Sequence, residues 1–120
     1  MKTFVKKSKH ANKKTIIDGI TFDSKGEASR YFLLKDLERA GKISNLRRQV
    51  KFVLAPAVKI EGEKRKRPEL SYYADFVYLE NGLEVVDDFK SPITQKLSTF
   101  RIKQHLMKTV HGIDVRVSQF

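Results

Sequence analysis

The spacing of hydrophobic positions predicts a small hairpin followed by a capped helix at the start of the folded region. Ile16-Ile17 and Ile20-Phe22 flank Asp18-Gly19, a dipeptide typical of tight hairpin turns, so a hairpin is predicted over TIIDGITFD. Ser24 is a favourable N-cap, and Glu27 three residues later completes a capping box. Good helix formers then continue to Gly41, a natural stop, which predicts a helix between these residues.

The middle of the chain predicts three strands. Alternating apolar residues ending at a proline predict the first strand over about residues 46–54. Residues 57–70 are basic and hold Gly62 and Pro68, so we expect a long loop or the tip of a wide hairpin. Two further strands, 72–80 and 84–89, flank Asn81-Gly82, the strongest hairpin signal in the chain.

A second helix and a last strand complete the predicted order. The helix is expected over about residues 95–110 with Gly112 as its stop, and the strand over 113–118. A strand, a helix and a strand of these lengths form a crossover that makes the two strands parallel. The sequence therefore predicts one α/β domain, residues 15–120, with an αβββαβ core and a mixed four-stranded sheet flanked by helices. Residues 1–14 are predicted to be a basic N-terminal arm.

Charge narrows the class of partner. The chain has 25 basic and 14 acidic residues, a net charge of +11, which favours a polyanion such as nucleic acid. A solvated basic surface and attraction to anionic lipid are the alternatives. Cysteine is absent, so disulfides and thiolate metal sites are excluded, and a reducing compartment is expected. No apolar run reaches the ~20 residues that span a bilayer, so no membrane partner is predicted.

The candidate chemistry lies in the hairpin around Asn81-Gly82. A two-residue turn there places Asp75 opposite Asp88, with Cβ atoms about 4.5–5.5 Å apart on one face of the sheet. Two carboxylates at that distance repel each other unless a cation lies between them, and oxygen ligands suit Mg²⁺ or Mn²⁺. Lys90 shares the face of Asp88 and could assist a water or stabilise phosphorane charge, and the Phe89 carbonyl could add a ligand.

Other interpretations of these residues stay open at this point. Asp88 could pair with Lys90 at a solvated strand end, Asp75 could face water, or a one-residue shift could turn every side chain to the other face. Glu27 could serve only as a helix cap. It also lies on one helical stripe with Tyr31 and Leu34, so it could point inward as a third carboxylate.

The ordered set of a helix Glu, a hairpin Asp and a strand-end Asp-x-Lys resembles the PD-(D/E)XK nuclease superfamily, whose core is αβββαβ. The stretch from Asn12 onward, which includes YYADFVY and VVDDFKSP, further resembles a family of small phage-encoded proteins within that superfamily. That family was formerly classified as a domain of unknown function, and its members are predicted endonucleases. The resemblance implies a restriction-endonuclease-like fold. It implies that Asp75 and Asp88 bind the metal, that Lys90 is the catalytic lysine, and that Glu27 is a further or water-mediated ligand.

One further position supports this resemblance, and two positions depart from the pattern of the superfamily. Gln49 falls where related nucleases carry a glutamine near the site, so it is a supporting candidate. Ala74 replaces the proline of the motif, which is not a ligand. Asp88 replaces the more common Glu, and its shorter side chain could shift the position of the ion.

The expected function is therefore that of a Mg²⁺- or Mn²⁺-dependent DNA endonuclease. We expect a phage or prophage product in the cytoplasm of a bacterial host that nicks or cuts structured DNA, as Holliday junction resolvases and repair nickases of the superfamily do. Cutting both strands would need a homodimer, whereas nicking needs one copy. The expected phosphate contacts are Lys6, Lys7, Lys9, Lys13, Lys14, Arg47, Arg48, Lys64, Arg65, Lys66, Arg67, Lys96 and Arg101.

Two rival functions lack catalysis. One is a nucleic-acid-binding module that keeps the same fold without cutting. The other is a small basic RNA-binding or ribosome-associated protein, for which the carboxylates would be scattered over the surface rather than converge.

Overall fold

The computed structural model describes residues 14–118, and the prediction of a basic arm therefore lies almost wholly outside the described residues. Three helices and six strands follow one another along this part of the chain. In chain order they are β1 (Thr15–Ile17), β2 (Ile20–Phe22), α1 (Lys25–Arg39), β3 (Ser44–Ala55), β4 (Leu70–Glu80), β5 (Leu83–Phe89), α2 (Pro92–Lys96), α3 (Ser98–His111) and β6 (Arg116–Ser118).

The main sheet has four strands in the order β3-β4-β5-β6, and β1 with β2 forms a separate hairpin. Strands β3, β4 and β5 pair antiparallel, whereas β5 and β6 pair parallel. The predicted mixed sheet is thus confirmed, including the parallel crossover. Both predicted hairpin turns are also confirmed, because Asp18-Gly19 and Asn81-Gly82 all have positive φ angles, as a type I′ turn requires.

The second helix differs from the prediction. The stretch predicted as one helix over 95–110 contains two, because Leu97 is extended, with φ −67° and ψ 137°, between α2 and α3. Ser91 caps α2, since its hydroxyl accepts from the Thr94 backbone N–H at 3.1 Å, and Pro92 fits the first turn of that helix. The cap starts the helix earlier than the hydrophobic pattern indicates.

Strand lengths also differ at the ends of the sheet. β3 is longer than predicted, whereas β6 covers only residues 116–118 of the predicted 113–118. The segment 57–70 is the tip of a wide hairpin, as expected, and Val58 and Arg67 form a single backbone bridge across it. No helix among the described residues is long and apolar enough to cross a membrane.

Each face of the sheet packs against one helix. On one face, Phe76 and Tyr78 of β4 pack with Leu34 of α1. On the other face, Val77 and Val86 pack with side chains of α3, notably Phe100 and Met107. The two helices therefore cover opposite faces of the sheet, as in other layered α/β domains.

In both strands of the β3–β4 hairpin, the side chains that pack in the core switch from one face of the sheet to the other at the same cross-strand position. In β4, Tyr72 and Ala74 pack on the α3 side, whereas Phe76 packs on the α1 side, although regular alternation would place residues two apart on one face. In β3, Leu46 packs on the α1 side, whereas Val50 packs on the α3 side. The change falls at Gln49 and Asp75, which the register places opposite each other.

Gln49 has φ +51°, a left-handed conformation that is rare for residues other than glycine. Such strain, of about 1–3 kcal/mol, persists only where the surrounding structure holds it, and it concentrates at functional sites. The backbone irregularity thus coincides with one of the predicted site residues.

Candidate active site

The candidate site lies where β4 and β5 separate. Their backbone pairing runs from the Asn81-Gly82 turn to the pair Phe76–Asp87 and places Asp75 opposite Asp88 as the next pair. Beyond that point the Asp75 backbone N–H donates to Asp88 Oδ1 at 3.1 Å, and the Phe89 backbone N–H donates to Asp75 Oδ2 at 2.9 Å. Side-chain carboxylates thus take the place of backbone carbonyls as acceptors of these N–H groups. The two aspartates lie next to each other, as the sequence predicted.

Lys90 lies beside the second aspartate. Its Nζ is 3.2 Å from Asp88 Oδ2 and 5.2 Å from the centre of the Phe100 ring. The buried Oδ2 accepts no hydrogen bond with suitable geometry, so Lys90 is its electrostatic neighbour rather than a full hydrogen-bond partner. Asp88 and Lys90 thus lie close together, as expected for residues on one face, and the alternative of a pair at a solvated strand end is wrong because Asp88 is buried.

Glu27 reaches the site through Gln49. Its Oε1 accepts from the Asp23 backbone N–H at 2.8 Å, and its own N–H donates to the Ser24 hydroxyl at 3.1 Å, which together make a helix cap. Its Oε2 accepts from Gln49 Nε2 at 3.1 Å, and the same nitrogen lies 3.2 Å from Asp75 Oδ1. With 3% exposure, Glu27 is both a cap and an inward-pointing carboxylate.

Burial and the closely spaced carboxylates raise the pKa values of two groups at the site, Asp75 and Tyr72. Burial, followed by the neighbouring Asp88 carboxylate, raises the pKa of Asp75 to about 8. Burial and Asp88 also raise the pKa of the Tyr72 hydroxyl far above its ordinary value, so Tyr72 stays neutral beside Asp88. The raised pKa of Asp75 thus reflects first the burial of its carboxyl group and second the negative charge of Asp88.

The donor set fits a hard divalent cation held by two aspartates. Asp88 Oδ2 is a buried oxygen with no hydrogen bond of suitable geometry, although Lys90 Nζ lies 3.2 Å away, and the Asp75 carboxylate adjoins it. Mg²⁺ binds in this way through one or two carboxylates, completed by water and substrate phosphate. Among residues 14–118, however, no group of three or more acidic or histidine side chains is arranged to hold a metal.

Two of the predicted ligands stay predictions. Both Glu27 oxygens already accept hydrogen bonds, so this arrangement does not place Glu27 directly against Asp88. The Phe89 backbone contributes its N–H to Asp75, and a role for its carbonyl is untested. Gln49 has the best defined position of the supporting candidates, because it joins the helix carboxylate to the hairpin carboxylate.

Asp87, the adjacent carboxylate, has a separate partner set on the α1 side. Its Oδ2 accepts from Arg30 at 2.5 Å and from the Tyr78 hydroxyl at 2.9 Å, and its Oδ1 accepts from the Ser118 hydroxyl at 2.8 Å. Burial and Asp87 raise the pKa of Tyr78 to about 12, which keeps that hydroxyl protonated as a donor. Sequence reasoning missed this network, although alternation along β5 did place Asp87 away from Asp88.

The predicted phosphate contacts fall into three groups. Lys6, Lys7, Lys9 and Lys13 lie outside the described residues. Several others are engaged within the protein: Lys14 with Asp23 at 3.0 Å, Arg47 with Glu84 at 3.2 Å, Arg67 with Glu63, and Arg48 with Thr21 and the Phe22 ring. The remaining residues are exposed at the tip of the β3–β4 hairpin or on α2 and α3, and they are Lys64, Arg65, Lys66, Lys96 and Arg101.

Comparison with known proteins places the chain in a family but gives it no activity. Neither a search of curated proteins nor a search of solved structures found a match. A family model described as "Protein of unknown function (DUF1064)" matches residues 7–118, which is nearly the whole chain. The chain therefore belongs to the DUF1064 family.

Proposed function

We propose that this protein is a Mg²⁺- or Mn²⁺-dependent DNA endonuclease with a restriction-endonuclease-like core. The observation that carries the proposal is the meeting of Asp75, Asp88 and Lys90 where β4 and β5 separate, with Gln49 bridging to Glu27. A scattered set of surface carboxylates would instead have favoured a basic protein without an active site. The resemblance in the sequence to phage-encoded predicted nucleases supports the same reaction.

The two aspartates would hold the cation, and a cation there would supply an activated water and stabilise charge on the phosphate. Asp75 is fixed by the Phe89 N–H and by Gln49, and Asp88 by the Asp75 N–H, so both carboxylates are oriented before a ligand arrives. Lys90, next to Asp88, would donate to a phosphate oxygen or to the attacking water. Its contact with the Phe100 ring holds the ammonium near the site.

A basic surface would hold the polyanionic substrate. The charge of +11 favours binding through counterion release, and Lys64, Arg65 and Lys66 are exposed at the tip of the long hairpin. Such contacts position a backbone without reading bases. We therefore propose recognition of DNA structure, such as a branch, rather than of a long base sequence.

The proposal is tested by incubating the protein with supercoiled plasmid and with branched DNA in the presence of Mg²⁺, Mn²⁺ or chelator. Nicking that needs a divalent ion and is lost in Asp88→Asn is expected. The matched control is Glu84→Gln, an exposed carboxylate of the same strand, which should cleave normally. Metal-independent cleavage, or cleavage that survives Asp88→Asn, would refute the proposal. Binding without cleavage under every metal would favour a non-catalytic binding module.

A further inference from the structure

The β3–β4 hairpin extends beyond the rest of the sheet next to the candidate site. β5 pairs with β4 only from Phe76 onward, so residues 70–75 of β4 pair with β3 alone. One face of this extension is core, because Tyr72 and Phe52 pack on the α3 side. The opposite face belongs to neither of the two cores.

An aromatic residue and a lysine face each other on that uncovered side. Tyr73 pairs with Lys51 across the two strands, and both residues alternate with core residues on either side. Tyr73 is 54% exposed, whereas its neighbour Tyr72 is 3% exposed. A ring this exposed contributes little to the core, and its surface is accessible to a ligand.

We infer that Tyr73 and Lys51 form a subsite for an unpaired nucleotide adjacent to the phosphate that is cut; this inference rests on the proposed function. Tyr73 is two residues from Asp75, about 7 Å along the strand. It lies on the side of the sheet opposite to α3, and Gln49 joins Asp75 to Glu27 of α1, whereas Lys90 contacts Phe100 on the α3 side. Aromatic rings bind unpaired bases by stacking, and a neighbouring cation binds the backbone phosphate. A base inside an intact duplex is already stacked and cannot use such a ring.

The charge of the hairpin supports a nucleic acid as the occupant of this face. The segment from Lys51 to Glu69 contains six basic and three acidic residues. Lys51 pairs with Glu69 at 2.5 Å, but both side chains are close to half exposed. Exposed ion pairs contribute little stability, so a phosphate can replace Glu69 as the partner of Lys51. The subsite thus lies between Asp75 and the exposed basic tip, along one continuous hairpin.

Such a subsite would select one class of DNA substrate. DNA with unpaired nucleotides next to a duplex, such as a fork or a flap, would place the duplex phosphate at Asp75 and Asp88 and a splayed base on Tyr73. Stacking on one aromatic ring changes affinity by about tenfold. A fully paired duplex would gain nothing from Tyr73.

The test measures binding by fluorescence anisotropy, without divalent metal, to a labelled fork and to a fully paired duplex of equal length. Tyr73→Ala is expected to weaken fork binding about tenfold and to change duplex binding less than about twofold. Tyr73→Phe, which keeps the ring, should bind both DNAs as the wild type does. Leu83→Ala, at an exposed position on the far end of β5, is the control.

A second readout uses the tyrosines themselves. The chain has four tyrosines and no tryptophan, and Tyr73 is the most exposed of the four. Tyrosine emission should therefore be quenched on adding the fork, and this quenching should be absent in Tyr73→Ala. Thermal unfolding of each variant verifies that the exposed substitution leaves the fold intact.

Three results would overturn the inference: unchanged fork binding in Tyr73→Ala, equal weakening for fork and duplex, or a Tyr73→Phe variant as weak as the alanine variant. Cleavage of the same two DNAs separates this failure from failure of the proposed function. If Asp88-dependent cleavage persists without any role of Tyr73, only the subsite is wrong. If Tyr73-dependent binding occurs without Asp88-dependent cleavage, the subsite stands and the nuclease assignment fails.

Discussion

The backbone N–H of Asp75 donates to the carboxylate of Asp88 at 3.1 Å, where the pairing of β4 and β5 would otherwise continue. The two acidic residues thus satisfy backbone groups at the place where two strands separate. This arrangement stabilises the end of the hairpin and at the same time concentrates negative charge. Burial at this place, followed by the adjacent Asp88 carboxylate, raises the pKa of Asp75.

Substitutions at the adjacent residues Asp87 and Asp88 should have different effects, one on stability and the other on activity. Asp88→Asn should lower the proposed metal-dependent cleavage by at least about a hundredfold, because the proposed cation would lose a ligand, and should change stability little. Asp87→Asn should lower the free energy of unfolding by about 2 kcal/mol, less than the ~3–5 kcal/mol of a wholly buried pair, because Arg30 is 21% exposed and regains water. Chemical denaturation and nicking rates measure the two effects. Equal loss of activity and of stability in both variants would contradict this division.

The stability of the metal-free protein should fall as pH rises from about 4 to about 8 through the contribution of Asp75. Its folded pKa is raised above the unfolded value of about 3.8, so the folded state binds more protons than the unfolded state within this window. The stability associated with the protonated form is present at low pH and is lost as pH rises through the folded pKa. The difference in melting temperature between the wild type and Asp75→Asn, measured over a series of pH values, isolates this contribution.

Divalent ions should reverse that loss. The proposed site would bind Mn²⁺ through ionised carboxylates, so the increase in melting temperature on adding Mn²⁺ should be larger at pH 8 than at pH 6. Asp75→Asn and Asp88→Asn should each reduce the increase, while Glu84→Gln should retain it. An increase of the same size in all variants would show that the ion binds elsewhere.

Glu27 should act mainly as a helix cap. Removing its carboxylate in Glu27→Ala should lower the free energy of unfolding by about 1 kcal/mol, similar to Ser24→Ala, because each loses one part of the same cap. Mn²⁺ affinity, measured by calorimetry, should fall by less than about tenfold, since Glu27 reaches Asp75 only through Gln49 and so lies one step beyond the groups whose loss costs about 10–100-fold. A loss of metal affinity as large as that of Asp88→Asn would instead make Glu27 a direct ligand.

The hairpin tip should contribute electrostatic affinity without specificity. Replacing Lys64, Arg65 and Lys66 by alanine should weaken binding to all DNAs alike and reduce the salt dependence of log K by up to about 3, near 0.9 for each phosphate that the variant no longer neutralises. Arg67→Ala should have a smaller effect because Glu63 already binds its guanidinium. Arg39→Ala on α1, where Asp36 pairs the charge, is the control. A tip variant that changed fork and duplex affinities by different factors would contradict a purely electrostatic role.

Local patterns predicted most of the fold and the central pair of the site. The Asn81-Gly82 turn determines the register of its hairpin, so simple counting placed Asp75 opposite Asp88 correctly. The break at Leu97 was not predicted, because Ser91 and Pro92 start a helix that the apolar pattern of α3 conceals. Partners distant in sequence, such as Arg30 and Asp87, depend on how α1 packs on the sheet and have no local signal.

The change of facing at Gln49 and Asp75 also bears on how the site could have arisen. Because both strands change facing at this one cross-strand pair, removing these two residues together would restore uninterrupted alternation in β3 and β4 and keep the rest of the register. The pair therefore behaves as a matched insertion into an ordinary hairpin. A relative could lose the aspartate with its glutamine and retain the sheet, so inheritance of the scaffold does not guarantee inheritance of the proposed chemistry.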